Sequence, residues 1–275
     1  MTYNEVFGAR IPSLGFGTFR LAPPQARHMV SEALGMGYRH IDTAQMYGNE
    51  EAVGQGLRDA GVAREDVFLT TKVWPDRFRA GDLERSADES LQRLGTDYVD
   101  LLLLHWPNPE VDLSETLGAL VRVKEQGKAR HIGVSNFTNA LLERAVAICG
   151  EGVLVTNQVE YHPFLSQRSV KRKLAEYGMA MTAYCPLAQG KVLGDPGLRE
   201  IGRQYGKNEA QVALRWLLEQ DVVAIPRTSK ADNAKRNLNV FDFSLSTDDM
   251  RRIDDGLQGE ARVVNPSFAP DWDRP

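Results

Sequence analysis

Val99-Asp100-Leu101-Leu102-Leu103-Leu104-His105 is apolar at nearly every position, the pattern of a strand covered on both faces. A strand with one wet face would alternate instead. Just downstream, Leu113, Leu117, Leu120 and Val121 fall on one side of a helix, so the two segments make one βα unit. The same unit stands upstream, where Phe68-Leu69-Thr70-Thr71-Lys72 precedes Leu83, Ala87, Ser90, Leu91 and Leu94 at helical spacing. Further strands are predicted at Ile132 to Ser135, Val153 to Glu160, Met179 to Tyr184 and Val222 to Ile225, each followed by a helix candidate. Leu14 to Gly17 and His40 to Asp42 complete a set of eight. Gly95 and Gly127 stand where helices should stop, and Asn208 with Gln211 has the pattern of a capping box for a helix burying Val212, Ala213, Trp216 and Leu217.

Eight βα repeats favour an α/β fold of the (β/α)8 TIM barrel type. A doubly wound open sheet is the rival, but Gly15-Phe16-Gly17 and Gly35-Met36-Gly37 both lack the third glycine of a dinucleotide fingerprint. A short hairpin is predicted ahead of the barrel at about residues 4 to 11, and the tail from Val263 to Pro275 reads as a loop over the active-site end. No linker or low-complexity tract divides the chain, so 1–275 reads as one domain.

Composition excludes several classes. The 275 residues are 42% hydrophobic and 25% charged, ordinary globular usage. A net charge of −4 with no basic block argues against a nucleic-acid partner. Cys149 and Cys185 are too few for a disulfide framework or a cysteine zinc site, which fits the reducing cytoplasm. No signal-like start or run of 18 apolar residues is present, so no membrane association is expected. The expectation is a monomer acting on a small molecule.

In a barrel of this kind chemistry gathers where the strands end. Asp42 ends the second predicted strand with Tyr47 just beyond, Lys72 ends the third, His105 the fourth and Ser135-Asn136 the fifth, while the sixth carries Asn157, Gln158 and Glu160. Singly, each has an ordinary reading: Asp42 as a helix cap, Tyr47 as a surface aromatic, Lys72 as a solvated strand end, His105 as a core histidine. Together they supply a proton donor, a charge to tune it and a polariser of a carbonyl.

The stretch Gly37-Tyr38-Arg39-His40-Ile41-Asp42-Thr43-Ala44-Gln45-Met46-Tyr47-Gly48-Asn49-Glu50 resembles the signature of the aldo-keto reductases. Thr71-Lys72-Val73-Trp74, Leu103-Leu104-His105-Trp106-Pro107, Gly133-Val134-Ser135-Asn136-Phe137, Asn157-Gln158-Val159-Glu160-Tyr161-His162 and Ile225-Pro226-Arg227-Thr228-Ser229 resemble later family motifs in the same order. The bacterial members related to 2,5-diketogluconate reductase are the most similar. The resemblance implies reduction of aldehydes and ketones with NADPH. Tyr47 would be the proton donor, Lys72 would lower its pKa, Asp42 would orient the lysine, and His105 would bond the carbonyl oxygen. It places Ser135, Asn136 and Gln158 on the nicotinamide carboxamide and Tyr184 on the ring, with Thr18 and Asp42 as further cofactor contacts. Leu187, Gln189 and Gly190 would follow the pyrophosphate. At the adenosine end stand Arg227, Thr228, Ser229, Lys230, Asn233 and Asn237, with Arg227, Thr228 and Lys230 toward a 2′-phosphate.

Two positions depart from the family pattern. Asn233 stands where many relatives have an arginine over adenine, and Arg236 replaces a common glutamate, so NADH is a possible second coenzyme. Phe19, Met46, Trp74 and Trp106 are candidate pocket walls beside His105. Short connections and a brief tail after Arg262 predict an open pocket for small aldehydes, dicarbonyls or keto-sugars. Two alternatives are weighed: a catalytically idle nucleotide-binding barrel acting as sensor or regulatory subunit, against which the four polar residues count, and a zinc hydrolase using His40, His105 and His162. The histidines lack a close ligand pair, so no metal is expected. Cys185 could be a redox switch, though a small packed side chain is the ordinary reading.

Overall fold

The computed structural model describes residues 2–257, 259 and 261–273. Strands β1 (Tyr3–Val6) and β2 (Ala9–Pro12) form the predicted antiparallel hairpin, turned at Phe7-Gly8, where both φ angles are positive (46° and 81°). Two successive left-handed residues are what a tight hairpin of this twist requires, and glycine takes one of them.

Eight parallel strands follow: β3 (Phe16–Gly17), β4 (His40–Asp42), β5 (Phe68–Val73), β6 (Val99–Leu104), β7 (Ala129–Ser135), β8 (Leu154–Glu160), β9 (Ala180–Tyr184) and β10 (Val223–Ala224), each paired with its sequence neighbour. The ring closes where Leu14 bridges Ala224, with Gly15 N donating to Ala224 O at 2.8 Å and Ala224 N to Ser13 O at 2.8 Å. The two closing strands are shorter than the sequence predicts, because this seam is a bridge and not a full ladder. The central β5, β6 and β8 are buried along their whole length, which is why most of their positions are apolar or small-polar.

Helices α1 (Pro23–Met36), α2 (Glu50–Asp59), α3 (Asp82–Leu94), α4 (Leu113–Glu125), α5 (Asn139–Cys149) and α6 (Arg168–Glu176) follow β3 to β8 in turn. Between β9 and β10 lie α7 (Pro196–Tyr205) and α8 (Glu209–Leu218), and β10 is followed by α9 (Ala231–Leu238) and α10 (Thr247–Gly256). Gly95 ends α3 at φ +66°, and Asn208 and Gln211 exchange the two bonds of a capping box at the start of α8, at 2.9 and 3.1 Å.

Inside the ring, Phe68, Leu101, Leu103, Val155 and Val223 pack with Val6, Ala9 and Ile11 of the hairpin, so β1 and β2 plug the amino-terminal end. That apolar plug leaves only the opposite mouth for polar chemistry. The tail crosses that mouth as predicted, although its last two residues lie outside the described ones. Phe268 meets Trp74 and Trp106 edge-on at 5.8 and 5.5 Å, Trp272 meets Trp106 at 5.9 Å, and Asp273 accepts from Asn139 N at the start of α5. The pocket is therefore less open than its short loops predict, because three aromatic contacts hold the tail down as a partial roof.

Candidate active site

Tyr47 ends a 3₁₀ turn, Gln45–Tyr47, closed by Gly48 at φ +64°. Gln45 pins that turn to its neighbours: its amide donates to Ser86 O, Ser86 Oγ and Ser90 Oγ, and its Oε1 accepts from Trp74 N at 3.2 Å. Asn49 ties the same loop to the one after β3 by donating to Thr18 O and Leu21 O. A loop residue is thereby held as firmly as one on a strand.

Lys72 is 0% exposed at the end of β5. Its Nζ donates to Asp42 Oδ1 at 2.5 Å, to Thr43 O at 2.8 Å and to Tyr47 Oη at 3.3 Å, which uses all three protons of an ammonium. The second oxygen of Asp42 accepts from Gln158 Nε2 at 2.8 Å, so the buried carboxylate is satisfied on both sides. Burial pulls Lys72 below its ordinary pKa, opposed by Asp42 and then Glu50. Burial also pushes the Tyr47 phenol well above the usual tyrosine value, and the Asp42 charge adds to that. The net acidification expected from Lys72 is thus not found: the phenol is held neutral. Because its oxygen accepts from the ammonium, its own hydrogen is left to point elsewhere, and the open side is the cleft.

His105, just past β6, takes a backbone bond from its N to Val73 O at 3.0 Å, and its ring meets Tyr47 at 5.6 Å and Trp74 at 5.1 Å. Burial and then Lys72 hold its pKa well below the usual histidine value, so the imidazole is neutral at pH 7. Among the described residues Nδ1 is buried with no partner. A stranded lone pair costs less than a stranded N–H, which assigns the proton to Nε2.

A cleft of about 620 Å³ runs from this group toward α9. Midway, Tyr184 Oη donates to Asn136 Oδ1 at 2.8 Å, Asn136 Nδ2 donates to His105 O at 3.0 Å, and Ser135 Oγ donates to Gln158 O at 2.7 Å. Asn136 sits at φ +62°, and the loop that brings Cys185, Leu187, Gln189 and Gly190 to the wall has Cys185, Ala188 and Gln189 at positive φ before Gly190. At the far end Arg227 donates to Phe19 O at 2.9 Å and Arg20 O at 3.3 Å, clamping the loop after β3 across the cleft mouth. Thr228, Ser229, Lys230, Asn233 and Asn237 line the same end. Burial pushes the Cys185 thiol up to about 12, with Glu160 adding, so it rests protonated and unreactive.

Two predicted residues lie elsewhere. Thr18 is fully buried and spends its hydroxyl on Asp42 O at 3.1 Å, bracing the strand end from behind. Trp74 backs His105 and Phe268 and does not line the cleft, whereas Phe19, Met46 and Trp106 do. Sequence reasoning missed Arg20, Asn208 and Val264 on the wall, and Arg236 lines it too. His40 and His162 are engaged with Pro12, Thr70 and Glu160, and among the described residues no cluster of metal-ligating side chains forms.

Fold and site together define a barrel with the Lys72, Asp42 and Tyr47 group at its carboxyl mouth and a cleft of about 620 Å³ running from it toward α9. The family model "Aldo/keto reductase family" matches residues 13–257, and the chain belongs to that family. It is 41% identical to methylglyoxal reductase DkgB of Escherichia coli O157:H7, over 96% of this chain and 99% of the relative. An aldo-keto reductase of Mycobacterium avium is 40% identical over 94% of this chain and 90% of its own. Among solved structures, a candidate 2,5-diketo-D-gluconic acid reductase B superposes with a TM-score of 0.97 at 46% identity, covering 100% of this chain and 98% of that one. The Bombyx mori aldo-keto reductase in complex with NADP superposes at 0.91 with 32% identity, covering 99% of this chain and 96% of the other.

Proposed function

We propose that this chain reduces small aldehydes, dicarbonyls or keto-sugars, with methylglyoxal and 2,5-diketogluconate as leading candidates from its relatives, using NADPH and Tyr47 as proton donor. The observation that carries the reading is the buried ammonium of Lys72 reaching Asp42, Thr43 O and Tyr47 Oη at once. The cleft fits the cofactor by its donor set: amides and Tyr184 in the middle, cations Arg227 and Lys230 with Arg236 at the far end. Bound there, the reduced nicotinamide would supply hydride to the carbonyl carbon. Tyr47, held neutral by burial, gives its proton to the carbonyl oxygen. The phenolate left behind lies 3.3 Å from the ammonium. That separation is worth of order 5 kcal/mol at an effective dielectric of about 20, so charge is stabilised only as it develops. His105 offers Nε2–H to the same oxygen, and Asp42 with Gln158 keeps Lys72 aimed. We further place the enzyme in the cytoplasm as a monomer of one domain; among the described residues no helix is long and apolar enough to cross a membrane.

Purified protein should oxidise NADPH, followed at the nicotinamide absorbance, when given members of a carbonyl panel; no oxidation with any of them would refute the reading. Because His105 is neutral well below its usual range and Tyr47 protonated well above its own, kcat for reduction should be flat between about pH 6 and 9. Alcohol oxidation, which needs the phenolate, should instead rise with pH. A histidine-like inflection near neutrality in the reduction profile would contradict these assignments.

Asn233 removes a stacking cation while Arg236 adds a charge beside the cleft. The proposed outcome is dual coenzyme use: kcat/KM with NADPH should exceed that with NADH by less than about 1000-fold, or ~4 kcal/mol. A larger ratio would rule out dual use.

A further inference from the structure

Glu160 ends β8 beside Tyr184, with which it is in register, and its side chain is 0% exposed. A buried carboxylate must collect donors, and among the described residues none of those bonded to this one comes from a lysine or arginine. Two come from the tail: Oε1 accepts from Val263 N at 2.6 Å and Oε2 from Val264 N at 2.8 Å. The third is His162 Nε2 at 2.9 Å, whose tautomer is fixed because Nδ1 accepts from Phe164 N. Val264 itself lines the cleft, and from there the tail continues to Phe268 on Trp74 and Trp106. Trp74 in turn lies 5.1 Å from His105. Arg262 stacks on Trp272 at 3.8 Å, and its charge faces Glu160 and Tyr184. Earlier tail residues Gly259 and Ala261 hang on Phe164 O, outside the cleft.

We propose that Glu160 is a positioning residue: by holding the Val263 and Val264 amides it sets one wall and the roof of the cleft without lining the cleft itself. The inference rests on the carbonyl-reductase reading for its kinetic consequence, and on geometry alone for the tether. The two-amide clamp gives the tail a fixed point, because both oxygens of the buried carboxylate are engaged by adjacent N–H groups. Without it the roof aromatics keep their apolar contacts but lose the fixed point that sets where they lie, and a substrate must order the wall on binding.

The test is Glu160→Gln in the full chain, compared with wild type by site-resolved amide hydrogen exchange and by steady-state kinetics with NADPH and methylglyoxal. Exchange at Val263 and Val264 should rise by about tenfold, the equivalent of one charge-assisted hydrogen bond, with exchange in β5 and β6 unchanged. KM for the carbonyl should rise by a similar factor, about tenfold, while kcat and the NADPH Kd move by less than about threefold. Val263→Pro removes the shorter tail bond without altering the buried side, and should raise KM and Val264 exchange in the same direction should Glu160→Gln fail to fold. Unchanged exchange at these amides, or a KM within about twofold of wild type, would overturn the proposal. Because exchange is read without turnover, a protein inert toward carbonyls would refute the reductase reading and still leave the tether decided.

Discussion

Lys72→Met should lower stability by about 3–5 kcal/mol and turnover by more than about 100-fold. The side chain is fully buried, and its loss takes from Asp42 Oδ1 and Thr43 O the donor that each has in Lys72 Nζ. Gln158 still serves Asp42 Oδ2, but an amide does not neutralise a carboxylate. Most of the cost is therefore that of an uncompensated buried charge, and a second change should reveal it. In Lys72→Met/Asp42→Asn the charge is gone, so denaturant unfolding should recover most of the lost stability, whereas turnover should stay low because nothing stabilises the Tyr47 phenolate. A single-variant loss under about 1 kcal/mol would mean that the pair is not the buried unit described.

Tyr47→Phe should cut kcat by about 1000-fold while leaving the NADPH Kd, read by fluorescence titration, within about threefold. The ring would keep its contacts with Phe19 and His105 at 5.0 and 5.6 Å, and the turn that carries it is pinned through Gln45, so the loss is confined to one O–H. The residual rate would come from the Nε2–H of His105 and from orientation. Stability should change little or rise, because the ammonium keeps its two stronger acceptors.

The barrel was legible because its central strands are covered on both faces and so had to be written as apolar runs, of which Val99 to Leu104 is the plainest. The proposed catalytic group was legible only in combination: Asp42, Tyr47, Lys72 and His105 each have an ordinary structural reading alone, and it was their gathering at successive strand ends, together with the family resemblance, that pointed to chemistry. What escaped was set by contacts between distant segments. Thr18 falls beside the site in sequence, but whether its hydroxyl faces the cleft or Asp42 O depends on the backbone around β4. Trp74 follows β5 as a wall residue should, yet Phe268 from the tail helps determine that it backs His105. Arg20 reaches the cleft wall from a position at φ +58° that its residue type does not announce. The Glu160 clamp joins residues 103 positions apart, and no local pattern encodes it.

The most direct test of the account is a single-turnover experiment, in which wild type and Tyr47→Phe are each loaded with NADPH, mixed with excess methylglyoxal and followed at the nicotinamide absorbance. Wild type should convert its bound coenzyme completely in a fast phase, and the variant, equally loaded, should do so about 1000-fold more slowly. Equal rates in the two proteins would contradict the claim that this phenol delivers the proton.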